Sequence, residues 1–339
     1  MKKLEIICTD LYSFVESVEN ANIYQILFDH LFVYMKVFLE KVFKKKPLRS
    51  DTQVYQCEFC RTCTKKSNKP CVRRKIPAPA PVPAPVPAPV PTNNTQIPSQ
   101  VLPRLNPDKF TPQQIDTMFS IVCIAENAST KWWEQYNYCE NIGDGRGLTV
   151  SIVGFCSGTY DLLWVMNKLK EIKSDHIMVT KYLSVLQRVN GTSNTSGLEN
   201  FGSDLQRYGD VHWRQAVWEG IIHFYWSSAY KFWVAMGCKS ALSMMVFYDT
   251  ALNHGDIVLQ QFANQITNIQ RPSQGGSESA WLLEFINKRQ YNIQYVDRST
   301  NNGQPDRCLM HKQILSANNM SLTRPINGLR CYGGTYTIV

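Results

Sequence analysis

Apolar and polar positions divide the chain into differently patterned stretches. Between Ile23 and Phe43 the residues are apolar except for a few, among them Gln25, Asp29, Lys36 and Glu40. Spacings of four, seven and four put these polar groups on one narrow stripe, which predicts a helix. From Pro77 to Pro91 every second residue is proline, alternating with Ala or Val. Proline fixes φ and has no N–H to donate, so this run predicts an extended polyproline II rod, roughly 45 Å long at about 3.1 Å per residue. Beyond it the pattern is that of a packed domain. Thr111-Pro112-Gln113-Gln114 predicts a helix start, with threonine as N-cap and glutamine closing a capping box. Ile115, Met118, Phe119 and Val122 then fall on one face, and Glu126 follows one turn further along it. Val150, Ile152, Val153 and Phe155 predict a strand after the glycine turn Gly143-Asp144-Gly145-Arg146-Gly147. A long helical region is expected from Val211 to Leu252, with Trp213, Trp218, Trp226 and Trp233 mostly in the core and His223 a satisfied core histidine. The expected domains are a helical segment at 1–50, a basic cysteine-rich segment at 51–76, a linker at 77–100 and a main domain at 101–339.

Composition changes this picture at three points. With 44% hydrophobic and 19% charged residues over 339 positions, the chain can bury a sizeable core and is not disordered throughout. The net charge of +9 suggests an acidic partner, yet +7 of it lies in the first hundred residues. Whole-chain nucleic-acid binding is therefore not expected. Lys44, Lys45 and Lys46 leave two readings open for residues 1–50, an interfacial helix on a membrane surface or a helix packed on a partner or on the main domain. Asp29 and His30 argue against a clean membrane span. Met1-Lys2-Lys3 begins like a signal peptide, but Glu5, Asp10, Glu16 and Glu19 interrupt any apolar run, so no secretory signal is expected. Eleven cysteines cannot all pair. Cys57, Cys60, Cys63 and Cys71 have the donors for a tetrahedral zinc site, with reduced thiols or mixed disulfides as the alternative. Cys123, Cys139 and Cys156 lack metal-ligand spacing and are expected as buried thiols.

The candidate chemistry lies in the main domain. Glu126 is either a paired core carboxylate or one facing a cleft. The Gly-Asp-Gly loop around Asp144 is neither a phosphate loop nor an EF-hand, and by itself is a turn. Two carboxylates on separate elements suit glycoside hydrolysis, where one protonates the leaving oxygen and the other activates water or attacks carbon.

Longer runs point further. Ala125-Glu126-Asn127, Gln135-Tyr136-Asn137-Tyr138, Ile142-Gly143-Asp144-Gly145-Arg146-Gly147-Leu148-Thr149 and Gly154-Phe155-Cys156-Ser157-Gly158-Thr159-Tyr160-Asp161 together closely resemble glycoside hydrolase family 46, the chitosanases. Tyr248-Asp249, His254-Gly255 and Arg271-Pro272-Ser273-Gln274-Gly275-Gly276-Ser277-Glu278-Ser279 are similar to later segments of that family, so the resemblance spans roughly residues 110–339. It implies a mainly α, α+β fold, two-lobed and lysozyme-like, with a small β-sheet and a substrate cleft between the lobes. It also implies endo-hydrolysis of β-1,4-linked glucosamine in chitosan with inversion, no cofactor, and a role in degrading cell-wall polysaccharide. By position, Glu126 would be the general acid and Asp144 the general base. Thr149 would hold the attacking water with Asp144, and Arg146 would steady Asp144. Tyr138, Asp161 and Glu278 would contact sugars or their ammonium groups. Asp161 and Glu278 also suit the first turn of a helix, and the two duties are compatible. Inversion needs room for water, so the two catalytic carboxyls should stand at least about 6.5 Å apart, and a gap of about 5 Å would mean retention. The acid should also be partly withdrawn from water.

The competing readings are a lysozyme-like hydrolase of N-acetylated polymers and a non-catalytic wall-binding structural protein. The proline-alanine spacer is similar in composition to those in proteins of large algal viruses. Without a signal, a wall polymer outside the cell would be reached by lysis, in a particle or by unusual export.

Overall fold

The computed structural model describes residues 96–296 and 305–339. The N-terminal helix, the Cys57, Cys60, Cys63 and Cys71 cluster and the proline rod lie outside the described residues. In chain order the described elements are α1 (Pro112–Asn127), β1 (Cys139–Glu140), β2 (Thr149–Val150), β3 (Phe155–Cys156), α2 (Asp161–Ile172), α3 (Ile177–Val189), α4 (Phe201–Tyr208) and α5 (Val211–Ile221). A π-helical turn (Ile222–Trp226) leads into α6 (Ser227–Ala235), α7 (Ala241–His254), α8 (Ile257–Asn264), α9 (Glu278–Tyr291), α10 (Asp306–Ser316), β4 (Ile326–Cys331) and β5 (Gly334–Ile338). The fold is thus mainly helical with a small sheet, as expected.

Helix α1 starts where its capping residues predict. Thr111 Oγ1 accepts the Gln114 N–H at 3.2 Å, and Gln114 Oε1 accepts the Thr111 N–H at 2.9 Å. Every residue from Thr117 to Ala125 is buried, so α1 runs through the interior rather than along it. It packs on α7, which is buried from residue 241 to 251. Around Phe119 of α1 stand the rings of Trp132, Trp218, Trp226 and Tyr248, with centroids 4.6 to 5.9 Å away. These large apolar faces anchor the core. Trp213, Trp218, Trp226 and Trp233 are all buried, as the pattern predicts.

Contacts sort the remaining elements into two groups. The three-stranded sheet packs with α2 and α4, and α2 in turn contacts α3 and α5. Helices α6 to α10 and the β4–β5 hairpin form the second group, linked to α1 through α7 and β5.

Three sequence expectations change. The single strand expected over 150–155 is instead β2 and β3, joined by a tight turn. Ser151 (φ 69°) and Gly154 (φ 71°) both take positive φ, and the Gly154 N–H donates to Ser151 O at 3.2 Å. Ile152 and Val153 are buried within that turn, so apolar side chains that suit a strand are satisfied without one. The helical stretch from Val211 breaks before α7, where Ser240 Oγ accepts the Ser243 N–H as a new N-cap. His223 is exposed rather than in the core, and its ring stacks on Trp164 at 4.4 Å and 8°. The π turn rotates less per residue than an α-helix, so the phase set by Trp213 and Trp218 does not carry to position 223.

Cys123 and Cys156 are buried and Cys139 half-buried, all three as free thiols. Among the described residues no helix is long and apolar enough to cross a membrane.

Candidate active site

A cavity of about 970 Å³ opens between the end of α1, the loop and sheet of 138–161, the π turn, the end of α7, α10 and the tip of the C-terminal hairpin. Six of the seven residues expected from the sequence line it: Glu126, Tyr138, Asp144, Arg146, Thr149 and Asp161. Glu278 is not on its wall.

Glu126 sits in the last turn of α1, just before Ala128 ends the helix in the left-handed region at φ 50°. Its side chain is 25% exposed, and its Oε1 is ion-paired with the buried guanidinium of Arg307 on α10. Arg307 also reaches Asp249 Oδ1 at 3.2 Å, while Arg289 donates to Asp249 Oδ2 at 2.6 Å. Arg289 further donates to the Asp249 carbonyl at 3.2 Å and to Asn253 Oδ1 at 3.3 Å. Burial alone would favour the neutral form of Asp249, but the two guanidiniums outweigh it and hold its carboxyl well below the usual carboxylate range. His311 Nε2 lies 3.5 Å from Asp249 Oδ2. Burial, reinforced by the two arginines, pushes the His311 imidazole down to about 3, so it is neutral at ordinary pH. The buried cluster therefore sets one carboxylate between two guanidiniums, and Arg307 turns its remaining donor outward to Glu126 Oε1 at the cavity. The helix-face pattern left Glu126 as either a paired core carboxylate or one facing a cleft; it is paired with Arg307 and faces the cavity.

Asp144 belongs to the β1–β2 loop. Its Oδ1 accepts the Arg146 N–H at 3.0 Å, and its Oδ2 lies 2.7 Å from Arg146 Nε and 2.6 Å from Nη2. Desolvation works against the charge, but the Arg146 guanidinium and backbone N–H win and lower the Asp144 carboxyl below its ordinary value. Asp144 is thus held in its ionised form at neutral pH. The loop geometry needs its glycine at 147. Its φ is 78°, and a Cβ there would stand 2.2 Å from Ser157 Oγ, which accepts the Leu148 N–H at 2.9 Å. Ser157 fixes the start of β2, and β2 places Thr149, which is 8% exposed and faces the cavity.

On the same wall, Tyr138 donates its hydroxyl to Glu140 Oε2 at 2.7 Å. Burial and that carboxylate push the phenol up to about 12, so it stays a donor. Asp161 opens α2 and collects three hydrogen bonds on Oδ1, from Cys156 N–H (2.9 Å), Thr159 Oγ1 (2.8 Å) and Leu162 N–H (2.9 Å). Burial nonetheless raises its carboxyl above the ordinary aspartate value. Asp161 is both a helix-start residue and a cavity residue. Glu278 has a different setting. It accepts from the Lys239 and Ser240 N–H groups at 3.0 Å and from the Ser240 and Ser243 hydroxyls at 2.7 Å, tying the start of α9 to the start of α7.

Arg307, Tyr225 of the π turn and Tyr332 of the hairpin also line the cavity and were not singled out from the sequence. Asp249, Arg289 and Arg307 lie tens of residues apart with no spacing pattern, so only folding reveals them as one unit. Among the described residues no group of three His, Cys, Asp or Glu side chains is placed to hold a metal ion.

Comparison with known proteins gives the family. The family model for glycosyl hydrolase family 46 matches residues 120–326. A chitosanase of Streptomyces sp. (strain N174) is 30% identical over 240 residues, which is 67% of this chain and 82% of that protein. A chitosanase of Nocardioides sp. (strain N106) is likewise 30% identical, over 234 residues, with the same shares covered. Among solved structures, the native chitosanase from Bacillus subtilis MY002 superposes with a TM-score of 0.60 at 27% identity, covering 68% of this chain and 100% of that one. On sequence and fold together, the chain belongs to glycosyl hydrolase family 46 and is a glycoside hydrolase.

Proposed function

We propose that this chain cleaves internal β-1,4 linkages between glucosamine units of chitosan, with inversion, using Glu126 as general acid and Asp144 as general base. The observation that carries the reading is that both carboxyls face one open cavity, each held by its own arginine. The relatives named as chitosanases, and a solved chitosanase (OU01) co-crystallised with substrate at 29% identity, support the choice of polymer.

The chain's residues divide the work as follows. Arg307 holds Glu126 Oε1, so the proton for the leaving oxygen is carried on the other carboxyl oxygen. Asp144, kept ionised by Arg146, takes a proton from the attacking water, and the hydroxyl of Thr149 orients that water. Asp161 binds a glucosamine ammonium, which a neutral N-acetylated sugar would not offer. This charged contact is what favours chitosan over N-acetylated polymers. Tyr138 supplies a hydroxyl and a ring edge to a neighbouring sugar.

The full chain incubated with glucosamine hexamer should yield the α-anomer first, read by proton NMR before mutarotation. Initial β-anomer would replace inversion by a covalent route. Failure to cleave either the hexamer or soluble chitosan would remove the chitosanase reading itself. Asp161→Asn should raise KM for the hexamer about tenfold and leave kcat within a few-fold, the loss of one charge-assisted contact. The same KM for both proteins would take Asp161 out of the binding site.

A further inference from the structure

The tip of the β4–β5 hairpin carries a residue that its turn does not favour. Cys331 pairs with Gly334, which leaves a two-residue loop of Tyr332 and Gly333 with φ of 45° and 77°. Positive φ at both positions defines a type I′ turn, whose first position suits asparagine, aspartate or glycine. A tyrosine held there is conformationally unfavourable, and such strain persists where the surroundings fix it. Three observations show what fixes it. The Tyr332 N–H donates to Asp306 Oδ2 at 2.8 Å, beside Arg307 at the start of α10. The Tyr332 phenol lies beside the Arg307 guanidinium, whose charge counters the rise that burial imposes on it. Tyr332, 37% exposed, forms part of the cavity wall that Glu126 and Arg307 share.

We infer that Tyr332 is a positioning residue for the Glu126–Arg307 pair and, through its ring, the wall of the sugar site beside the acid. This rests on the proposed role of Glu126. Arg307 lies between Asp249 on one side and Glu126 on the other, and Tyr332 adds a tether from the cavity side. That tether limits the guanidinium's freedom and so fixes where the carboxyl points. The exposed ring face offers a flat apolar surface to the C–H groups of a pyranose, and its electron-rich face suits a sugar bearing an ammonium group. The hairpin tip thereby couples acid placement to occupancy of one sugar site.

Two variants of the full chain separate these duties. Tyr332→Phe removes only the hydroxyl. Tyr332→Asn suits the type I′ turn better than tyrosine, so the hairpin keeps its fold while losing ring and hydroxyl. With glucosamine hexamer, the Phe variant should lose about tenfold or more in kcat with KM within twofold, the effect of one polar contact with a charged group. The Asn variant should lose kcat similarly and raise KM at least fivefold, with a melting temperature no lower than wild type. An unchanged kcat in Tyr332→Phe would overturn the positioning role, and an unchanged KM in Tyr332→Asn would overturn the sugar wall. Hexamer binding followed by tryptophan fluorescence, comparing Glu126→Gln with Glu126→Gln/Tyr332→Asn, reads the wall without turnover. A weaker Kd in the double variant supports the wall even if Glu126 proves not to be the acid, whereas equal Kd values remove it.

Discussion

Glu126→Gln in the full chain is expected to slow reducing-end release from soluble chitosan by roughly 10²- to 10⁴-fold. Glutamine matches glutamate in size, and its amide oxygen can still accept from Arg307, so the cavity keeps its shape. What it lacks is a proton to give to the departing sugar oxygen. Hexamer binding should change far less than kcat, because the lost contribution arises only in the transition state. A variant within tenfold of wild type would move the acid to another residue.

Asp249→Asn is expected to have the largest effect on stability, about 3–5 kcal/mol, or roughly 10 °C in melting temperature. Asp249 and Arg289 are wholly buried, and Arg307 is 2% exposed. Removing the one carboxylate that faces both guanidiniums leaves two buried cations with only Glu126 at the cavity edge. Because the folded-state value of Asp249 is depressed, its stabilising contribution is fully present above the ordinary carboxylate range. It fades only as pH falls through that depressed value. The gap between wild type and variant should therefore persist across neutral and mildly acidic pH and narrow only in strong acid. Activity should fall as well, since Arg307 loses the anchor that seats it against Glu126. A melting temperature within 2 °C of wild type would show that the cluster is balanced by something other than Asp249.

The parts of the site legible in the sequence are those built by near neighbours. The Thr111 capping box spans four residues, the Asp144–Arg146 pair spans three, and Asp161 opens the helix in which it sits. Each rests on local geometry that residue type and spacing already constrain. The site's electrostatics are not local. Glu126 and Arg307 are 181 positions apart, and Asp249 and Arg307 are 58 apart. Nothing along the chain marks these arginines out from their neighbours until α1, α7, α9 and α10 pack together. Glu278 shows the opposite limit. An acid after a serine at a helix start satisfies the local pattern, and the packing of α9 on α7 then commits its oxygens to backbone and hydroxyl donors. Ile152 and Val153 mislead for a third reason, since burial demands apolar side chains whether the backbone is extended or turning.

The free cysteines carry a consequence for how such a fold responds to redox conditions. All six described cysteines are unpaired, and burial drives their thiols upward, Cys139 to about 11 and Cys123, Cys238 and Cys331 to about 12. The thiolate is the form that exchanges with disulfides and reacts with oxidants, and at neutral pH these residues hold almost none of it. The described fold therefore owes nothing to sulfur–sulfur bonds. Its assembly needs no oxidant, and a thiol reductant finds no bond in it to break.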